Sequence, residues 1–396
     1  MKEWRQYRLI DILDKIIDYR GKTPQKTDSG IPLITAKIIK DGRILPPNEF
    51  ISESNYDNWM VRGIPHEGDV VLTVEAPLGE VAQLGNEKIA LAQRVVTLRG
   101  KEGVLDNTFL KYFLMSQVGQ ARLKARETGT TVTGIKQSEL REVLIDCPDY
   151  EHQLQIASIL RAIDNKIENN RQINDNLEQQ AQALYKSWFI DNYQTEWPEY
   201  SLDEVTLKIT DGVHNTVIDT PNGEYYLLSC KNIKNRRLNM SSSDRRIDEG
   251  TFNKLRKRTM LSKGDILLSS VGTIGELMLL NDDPHNYEFQ RSVAIIKPNP
   301  VYISSYYLYE TLISQIDKIT NTAHGAVQQC VFLSDLKEYT INIADKALIS
   351  RYDIIVKPFF DEITKREKEI ARLTSLRDSL LPKLMSGELK INEIDC

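Results

Sequence analysis

Gly68-Asp69-Val70-Val71-Leu72-Thr73, followed by Leu78-Gly79-Glu80, returns later in the chain as Gly264-Asp265-Ile266-Leu267-Leu268-Ser269, followed by Ile274-Gly275-Glu276. The offset is 196 residues, about half of a chain of 396. The same offset carries Ser138-Glu139-Leu140 onto Ser334-Asp335-Leu336, and Ile159, Ile163 and Ile167 onto Ile355, Phe359 and Ile363. An offset held over such a distance means two copies of one unit. A pseudo-twofold protein suits a partner that offers two related sites, and duplex DNA is the commonest such partner.

Each copy reads as a mixed α/β globule followed by a long helix. Ile31–Thr35, Asp69–Val74 and Arg94–Leu98 are short, β-branched runs bounded by turn residues, and so are Tyr225–Ser229, Asp265–Ser270 and Ser292–Ile296. Phe109–Gln117 and Tyr306–Gln315 read as short amphipathic helices. The repeated Gly-Asp pairs are turn residues before a buried strand, and Gly79 and Gly275 suit a hairpin or bulge. A heptad seam then runs through Ile156, Leu160, Ile163, Ile167, Asn170, Asn174, Leu177, Ala181, Leu184 and Trp188. Its counterpart is Tyr352, Val356, Phe359, Ile363, Arg366, Ile370, Leu373, Arg377, Leu380 and Leu384. The spacing predicts two helices of about 50 Å that bury their seams on each other, antiparallel because a whole globule separates them. Asn170, Asn174, Arg366 and Arg377 occupy seam positions and are expected to fix register. The expected fold class is therefore α/β (α+β), with two globular domains joined by two long antiparallel coiled-coil helices. Residues 1–150 and 197–346 are the globules, and residues 151–196 and 347–396 the helices.

Composition bounds the function. The chain carries 41% hydrophobic and 27% charged residues, ordinary for a globular protein of two to four domains. No apolar run approaches the ~18–20 residues of a membrane span, and the start lacks the apolar stretch of a signal peptide, so a cytoplasmic protein without membrane partners is expected. Cys147, Cys230, Cys330 and Cys396 form no CxxC pair, which argues against a zinc site. The net charge is −5, yet the charge is segregated. Between Lys231 and Arg258, ten basic residues oppose three acidic ones, and between Lys15 and Arg43 seven oppose three. Patches of this kind bind phosphates even on an acidic protein.

Motifs for chemistry are missing. Gly129–Lys136 lacks the Gly-Lys-Ser/Thr ending of a phosphate loop, because Ile135 separates Gly134 from Lys136. Pro148-Asp149 with Asp164-Asn165-Lys166 fits a loose nuclease pattern, but Asp164 and Lys166 fall on the heptad helix. The five histidines are scattered, and Pro46-Pro47-Asn48-Glu49-Phe50 is not the Asn/Asp-Pro-Pro-aromatic box of amino-methyltransferases. No catalytic residue and no metal ligand is assigned. What recurs is a set of polar, loop-like positions: Gln93-Arg94 as Gln290-Arg291, Lys37 and Lys40 as Lys231 and Lys234, and a Gly/Thr/Gln-rich loop, Thr128–Gln137 as Asn321–Gln329. Arg and Gln can read base edges, and Thr and Lys can hold phosphates. The DNA-contact candidates are Arg20, Lys22, Thr23, Lys37, Lys40, Arg43, Arg94, Thr130, Thr131 and Lys136 in the first copy. In the second they are Lys231, Lys234, Arg236, Arg237, Arg256, Arg258, Arg291, His324 and Gln328.

Leu184-Tyr185-Lys186-Ser187-Trp188-Phe189 after the first helix, and Leu380-Leu381-Pro382-Lys383-Leu384-Met385-Ser386-Gly387-Glu388-Leu389 after the second, complete a pattern. With the Gly-Asp strands, the Ser-(Glu/Asp)-Leu turns and the duplication, the chain resembles the specificity subunit of type I restriction–modification systems along essentially its whole length. The resemblance implies two target recognition domains, each reading one half of a bipartite double-stranded DNA site. It implies helices that act as a spacer and dock two methyltransferase subunits, joined by restriction/translocase subunits. S-adenosylmethionine, ATP and Mg then belong to those partners, and the chain needs no cofactor of its own. The recognition domains of that family vary greatly, so it assigns no base-contacting residue here. The mismatch of Arg20-Gly21-Lys22-Thr23 with Asp211-Gly212-Val213-His214 predicts half-sites of different sequence. The alternative is a stand-alone or fused nuclease or methyltransferase, against which the missing cofactor and metal motifs speak.

Overall fold

The computed structural model describes residues 4–129, 133–241, 243–325 and 329–389. The chain divides into two compact units, one of Met1–Asn169 with Ile370–Cys396 and the other of Asn170–Glu369. Each unit contains one globule and about half of each long helix, α1 (Tyr150–Tyr185) and α2 (Lys346–Met385).

The first unit is built on a four-stranded antiparallel sheet of β1 (Leu13–Asp18), β2 (Val70–Val74), β3 (Leu78–Gln83) and β4 (Val95–Gly100), in the order β1-β4-β2-β3. The second repeats it with β5 (Thr206–Asp211), β6 (Ile266–Ser269), β7 (Leu277–Leu279) and β8 (Val293–Pro298), in the order β5-β8-β6-β7. The central strands are apolar at nearly every position because both faces are covered, and β2 is buried throughout. Helix Asn107–Met115, capped by Asp106, and helix Ser305–Ser314, capped by Ser304, pack against the sheets. A smaller mixed sheet follows in each unit, with Leu33 beside Ala90 in parallel in the first and Leu227 beside Glu288 in the second. A short hairpin also recurs, Ile39–Lys40 with Arg43–Ile44 and Ile233–Lys234 with Arg237–Leu238.

The opening motif has a structural cause. Asp69 is buried and takes two hydrogen bonds from the Arg99 guanidinium, at 2.8 and 2.7 Å. Asp265 is buried against Lys297 at 2.5 Å, and burial pushes its carboxyl above the ordinary value. Glu80 and Glu276 each accept the backbone N–H at the tip of the neighbouring hairpin, from Asp41 at 3.2 Å and Asn235 at 2.9 Å. Both tip residues have φ of +51°, a turn conformation whose amides need an outside acceptor. The motif thus repeats because it ties one sheet to the next element.

The twenty seam positions of the two long helices are all buried or half-buried. Within the second unit, Tyr352 donates its hydroxyl to the carbonyl of Ala181 at 3.2 Å, and Arg366 donates to Asn170 at 2.8 Å, so the two helix halves run antiparallel there. Asn170 also donates to Glu369 at 2.9 Å. Within the first unit, Arg377 donates to Asp164 at 3.1 Å. These polar seam residues sit where register is set, whereas the Asn174 side-chain oxygen has no hydrogen-bond partner among the described residues. The Leu184–Phe189 motif is core: Tyr185 and Phe189 stack among Tyr307, Tyr352 and Trp197. Leu384 and Met385 play the corresponding part in the first unit, in one apolar cluster flanked by Trp4.

Candidate nucleic-acid interface

Four loops converge at one end of the four-stranded sheet of the first unit. Val96 pairs with Asp18 and Val95 with Thr73, which places Gln93-Arg94 beside the segments that leave β1 and β2. Gly134 bridges Glu75 and Thr128, and Ile135 donates to Val74 at 3.0 Å, which brings in the 128–136 loop. Arg20, Lys22, Thr23, Arg94 and Lys136 therefore share this end of the sheet although they span more than a hundred residues of sequence. The second unit repeats the arrangement. Ala294 pairs with Asp211 and Val293 with Ser269, Val213 bridges Gln290, and Cys330 bridges both Val271 and His324. Arg258, Arg291 and His324 meet there, together with His214.

The cations at these two ends are not equivalent. Arg20 is half-buried: it pairs with Asp18 and donates to the carbonyl of Ile135 at 2.5 Å, so it stitches two of the loops together. Arg94 lies 3.7 Å from Glu75, a loose and exposed pair. Thr23 donates to Gln93 at 3.3 Å. Lys22 and Lys136 are exposed and have no side-chain partner among the described residues. In the second unit Arg291 is exposed in the same way. His324 stacks on Phe332 and lies 3.3 Å from Asp335, and His214 lies 2.6 Å from Asp211. Thr130, Thr131 and Gln328 lie outside the described residues.

The other candidates sit elsewhere. Lys37, Lys40 and Arg43 belong to the first hairpin segment, and Lys231, Lys234, Arg236 and Arg237 to the second. Arg43 reaches Glu168 of α1 at 3.6 Å, and Lys37 reaches Glu49 at 3.4 Å. Arg237 is paired with Glu178 of α1 and, at 2.8 Å, with Glu367 of α2. Arg236 stands 3.8 Å from Glu178, and Lys231 2.9 Å from Asp244. Arg256 pairs with the fully buried Glu288 and donates to the carbonyls of Pro284 and Tyr287. Arg258, already placed at the sheet end, donates to the carbonyls of Asp211 and Gly212. The four candidate arginines of the densest basic stretch, Arg236, Arg237, Arg256 and Arg258, thus all have acceptors inside their own unit. Lys40 and Lys234 are exposed at the hairpin tips, with no side-chain partner among the described residues.

Two residues at the sheet ends escape a reading by charge density. His214 lies three residues beyond the last residue of β5. Arg62 lies outside both basic stretches, yet it donates to the carbonyls of Asp18 at 3.0 Å and Arg20 at 2.7 Å. The signal for Arg62 was the 196-residue offset, which pairs it with Arg258. Of the residues fitting a nuclease pattern, Asp164 is held by Lys111 and Arg377, each at 3.1 Å, and by the Tyr112 hydroxyl at 2.7 Å. Its carboxylate is a structural anion of the first unit. Among the described residues no helix is long and apolar enough to cross a membrane.

A family model of the type I restriction modification DNA specificity domain matches residues 1–179. The MjaIX type I restriction enzyme specificity subunit of Methanocaldococcus jannaschii is 28% identical over 99% of this chain and 95% of its own length. The HindI specificity subunit of Haemophilus influenzae is 38% identical over 88 residues, 22% of this chain and 17% of its own. In fold, the chain is similar to the crystal structure of a type I restriction–modification S subunit from M. genitalium, with a TM-score of 0.54 over 96% of both chains at 18% identity. The duplicated sheet, the paired long helices, the matched domain and the full-length relative agree: over nearly its whole length the chain is similar to type I restriction–modification specificity subunits.

Proposed function

We propose that this chain reads a bipartite, asymmetric site on duplex DNA and carries out no chemistry itself. Each globular unit contacts one half-site with the loops at the end of its four-stranded sheet. The long helices set the distance between half-sites and dock two methyltransferase subunits, to which restriction/translocase subunits attach. S-adenosylmethionine, ATP and Mg act in those partners. In this reading residues 1–150 and 197–346 are the recognition domains, and residues 151–196 and 347–396 form the spacer.

One observation carries the reading: both units bring the same four loops together at the same end of the same sheet, but equip them differently. Lys22, Arg94 and Lys136 occupy the first; His214, Arg291 and His324 occupy the second. A shared frame with unlike loops is what two readers of unlike half-sites require, since phosphate contacts position a protein and base contacts specify the sequence. The names of the relatives support the same assignment.

The test is a selection of randomised duplexes by the full chain, alone and with its methyltransferase partner. The expected product is two unlike half-sites with a fixed gap. A palindrome, no enrichment in either condition, or methyl transfer by the chain alone would overturn the reading. Removing seven residues from both helices shortens each by about 10 Å, which should change the gap by about three base pairs. An unchanged gap would remove the spacer role.

A further inference from the structure

Arg62 and Arg258 stand 196 residues apart, the period of the whole chain. Their surroundings differ: Arg62 follows a short helix, Tyr56–Trp59, whereas Arg258 lies in the last turn of a longer one, Glu249–Thr259. Their main-chain acceptors lie at closely corresponding places. Arg62 donates to the carbonyl of Asp18, the last residue of β1, and to that of Arg20. Arg258 donates to the carbonyl of Asp211, the last residue of β5, and to that of Gly212. In both units an arginine from the following segment closes over the first loop of the candidate interface.

Each arginine is itself held in place. The Arg62 amide donates to the Tyr19 hydroxyl at 2.9 Å, and that hydroxyl donates to the carbonyl of Gly63 at 2.9 Å. Tyr19 is buried and packs on Trp59. The Arg258 carbonyl accepts from Lys208 of β5 at 2.7 Å. Backbone carbonyls are neutral acceptors that orient a guanidinium without compensating its charge; Arg258 also stands 3.7 Å from the Asp211 carboxylate, a loose ion pair. Lysine cannot reproduce this, since it presents one compact ammonium rather than a planar fork.

We propose that Arg62 and Arg258 are a repeated pair of positioning residues. They lock the loops 18–23 and 211–214 into the shape that meets DNA and do not themselves contact it. This rests on the DNA-reading function proposed above, and it adds residues and a role that charge density does not single out.

The experiment uses the full chain and the variants Arg62→Gln, Arg62→Lys, Arg258→Gln and Arg258→Lys. Amide hydrogen exchange, measured without DNA, should quicken about tenfold in loop 18–23 for Arg62→Gln and in loop 211–214 for Arg258→Gln, with β4 and β8 unchanged. The lysine variants should restore part of the protection. Binding to the selected duplex and to variants mutated in one half-site should show discrimination falling about tenfold at one half-site for Arg62→Gln and at the other for Arg258→Gln. The slope of log affinity against log salt should stay the same. Unchanged exchange in both loops overturns the clasp. A salt slope lowered by about 0.9 per arginine overturns positioning in favour of direct phosphate contact. If the wild-type chain shows no sequence preference, the DNA-reading function fails, while the exchange result still decides the clasp.

Discussion

Replacing Asp164 should uncouple the first unit from its stretch of helix. This carboxylate lies at the meeting of three elements: Lys111 and Tyr112 on the helix behind the sheet, and Arg377 on α2. Burial pushes the Asp164 carboxyl up, but Lys111, Tyr112 and Arg377 together outweigh it and hold it below the ordinary value. Lys111 is 8% exposed, and burial lowers its pKa. In Asp164→Leu, Arg377 keeps Asp378 at 2.8 Å, but Lys111 keeps only the face of the Tyr112 ring, 4.7 Å away. A buried ammonium without its carboxylate, plus one lost hydroxyl acceptor, should cost about 3 kcal/mol. Native-state hydrogen exchange reads this locally: β4 amides should exchange roughly a hundredfold faster, while β8 amides in the second unit stay as they were. The double variant Lys111→Met/Asp164→Leu should recover to within about 1 kcal/mol of wild type, because an apolar pair replaces the ionic one. The sign with pH follows from the depressed value. The carboxylate's contribution is present above the unfolded value near ~3.9 and is lost as pH falls through the folded one. A loss under about 1 kcal/mol, or a double variant no better than the single, would refute the reasoning.

Other perturbations follow from the same geometry. Burial pushes the Glu310 carboxyl up to about 8. An acid with a raised folded value weakens the fold as pH climbs from ~4.3 to that value, so Glu310→Gln should flatten the pH dependence of the second unit and stabilise it by roughly 2–4 kcal/mol at pH 8, read by thermal melting between pH 5 and 9. Arg237→Met takes the 2.8 Å partner from Glu367, already pushed up by burial, and leaves Glu178 only the looser Arg236 at 3.8 Å; it should cost the second unit about 3 kcal/mol while leaving the salt slope of DNA binding unchanged. Neutralising Lys22, Arg94 and Lys136 together should leave stability within about 0.5 kcal/mol and lower that salt slope by roughly 2–3 units; an unchanged slope would place this end of the sheet off the DNA.

Much of the frame was legible because periodic patterns are local. Each strand expected from Ile31–Thr35, Asp69–Val74 and Arg94–Leu98 forms within two residues of its reading, as do the three in the second copy. The helix from Phe109 begins two residues earlier, at Asn107, because Asp106 caps it. The heptads marked every seam position, and the polar ones make cross-helix hydrogen bonds at Asn170, Arg366 and Arg377. The candidate site was legible only in part. Arg256 lies in the densest basic stretch, yet its guanidinium is turned onto buried Glu288 and two carbonyls. Arg62 lies in no such stretch, yet it donates to two carbonyls of a loop at the candidate interface.

From sequence alone came the duplication, the alternation of globule and helix, and the positions of the seam, all carried by repeats and by spacings of three and four. The tertiary structure decided which charges remain on the surface and which loops meet. Arg237 and Glu178 are 59 positions apart, and Arg377 and Asp164 are 213. An ion pair depends on distance in space, which steepens as water is excluded, and a string of letters gives no such distance. The repeated Gly-Asp strand joins the two levels. In the sequence it marks two copies; in the fold, Asp69 on Arg99 and Asp265 on Lys297 are matching ion pairs at the end of each sheet away from the converging loops.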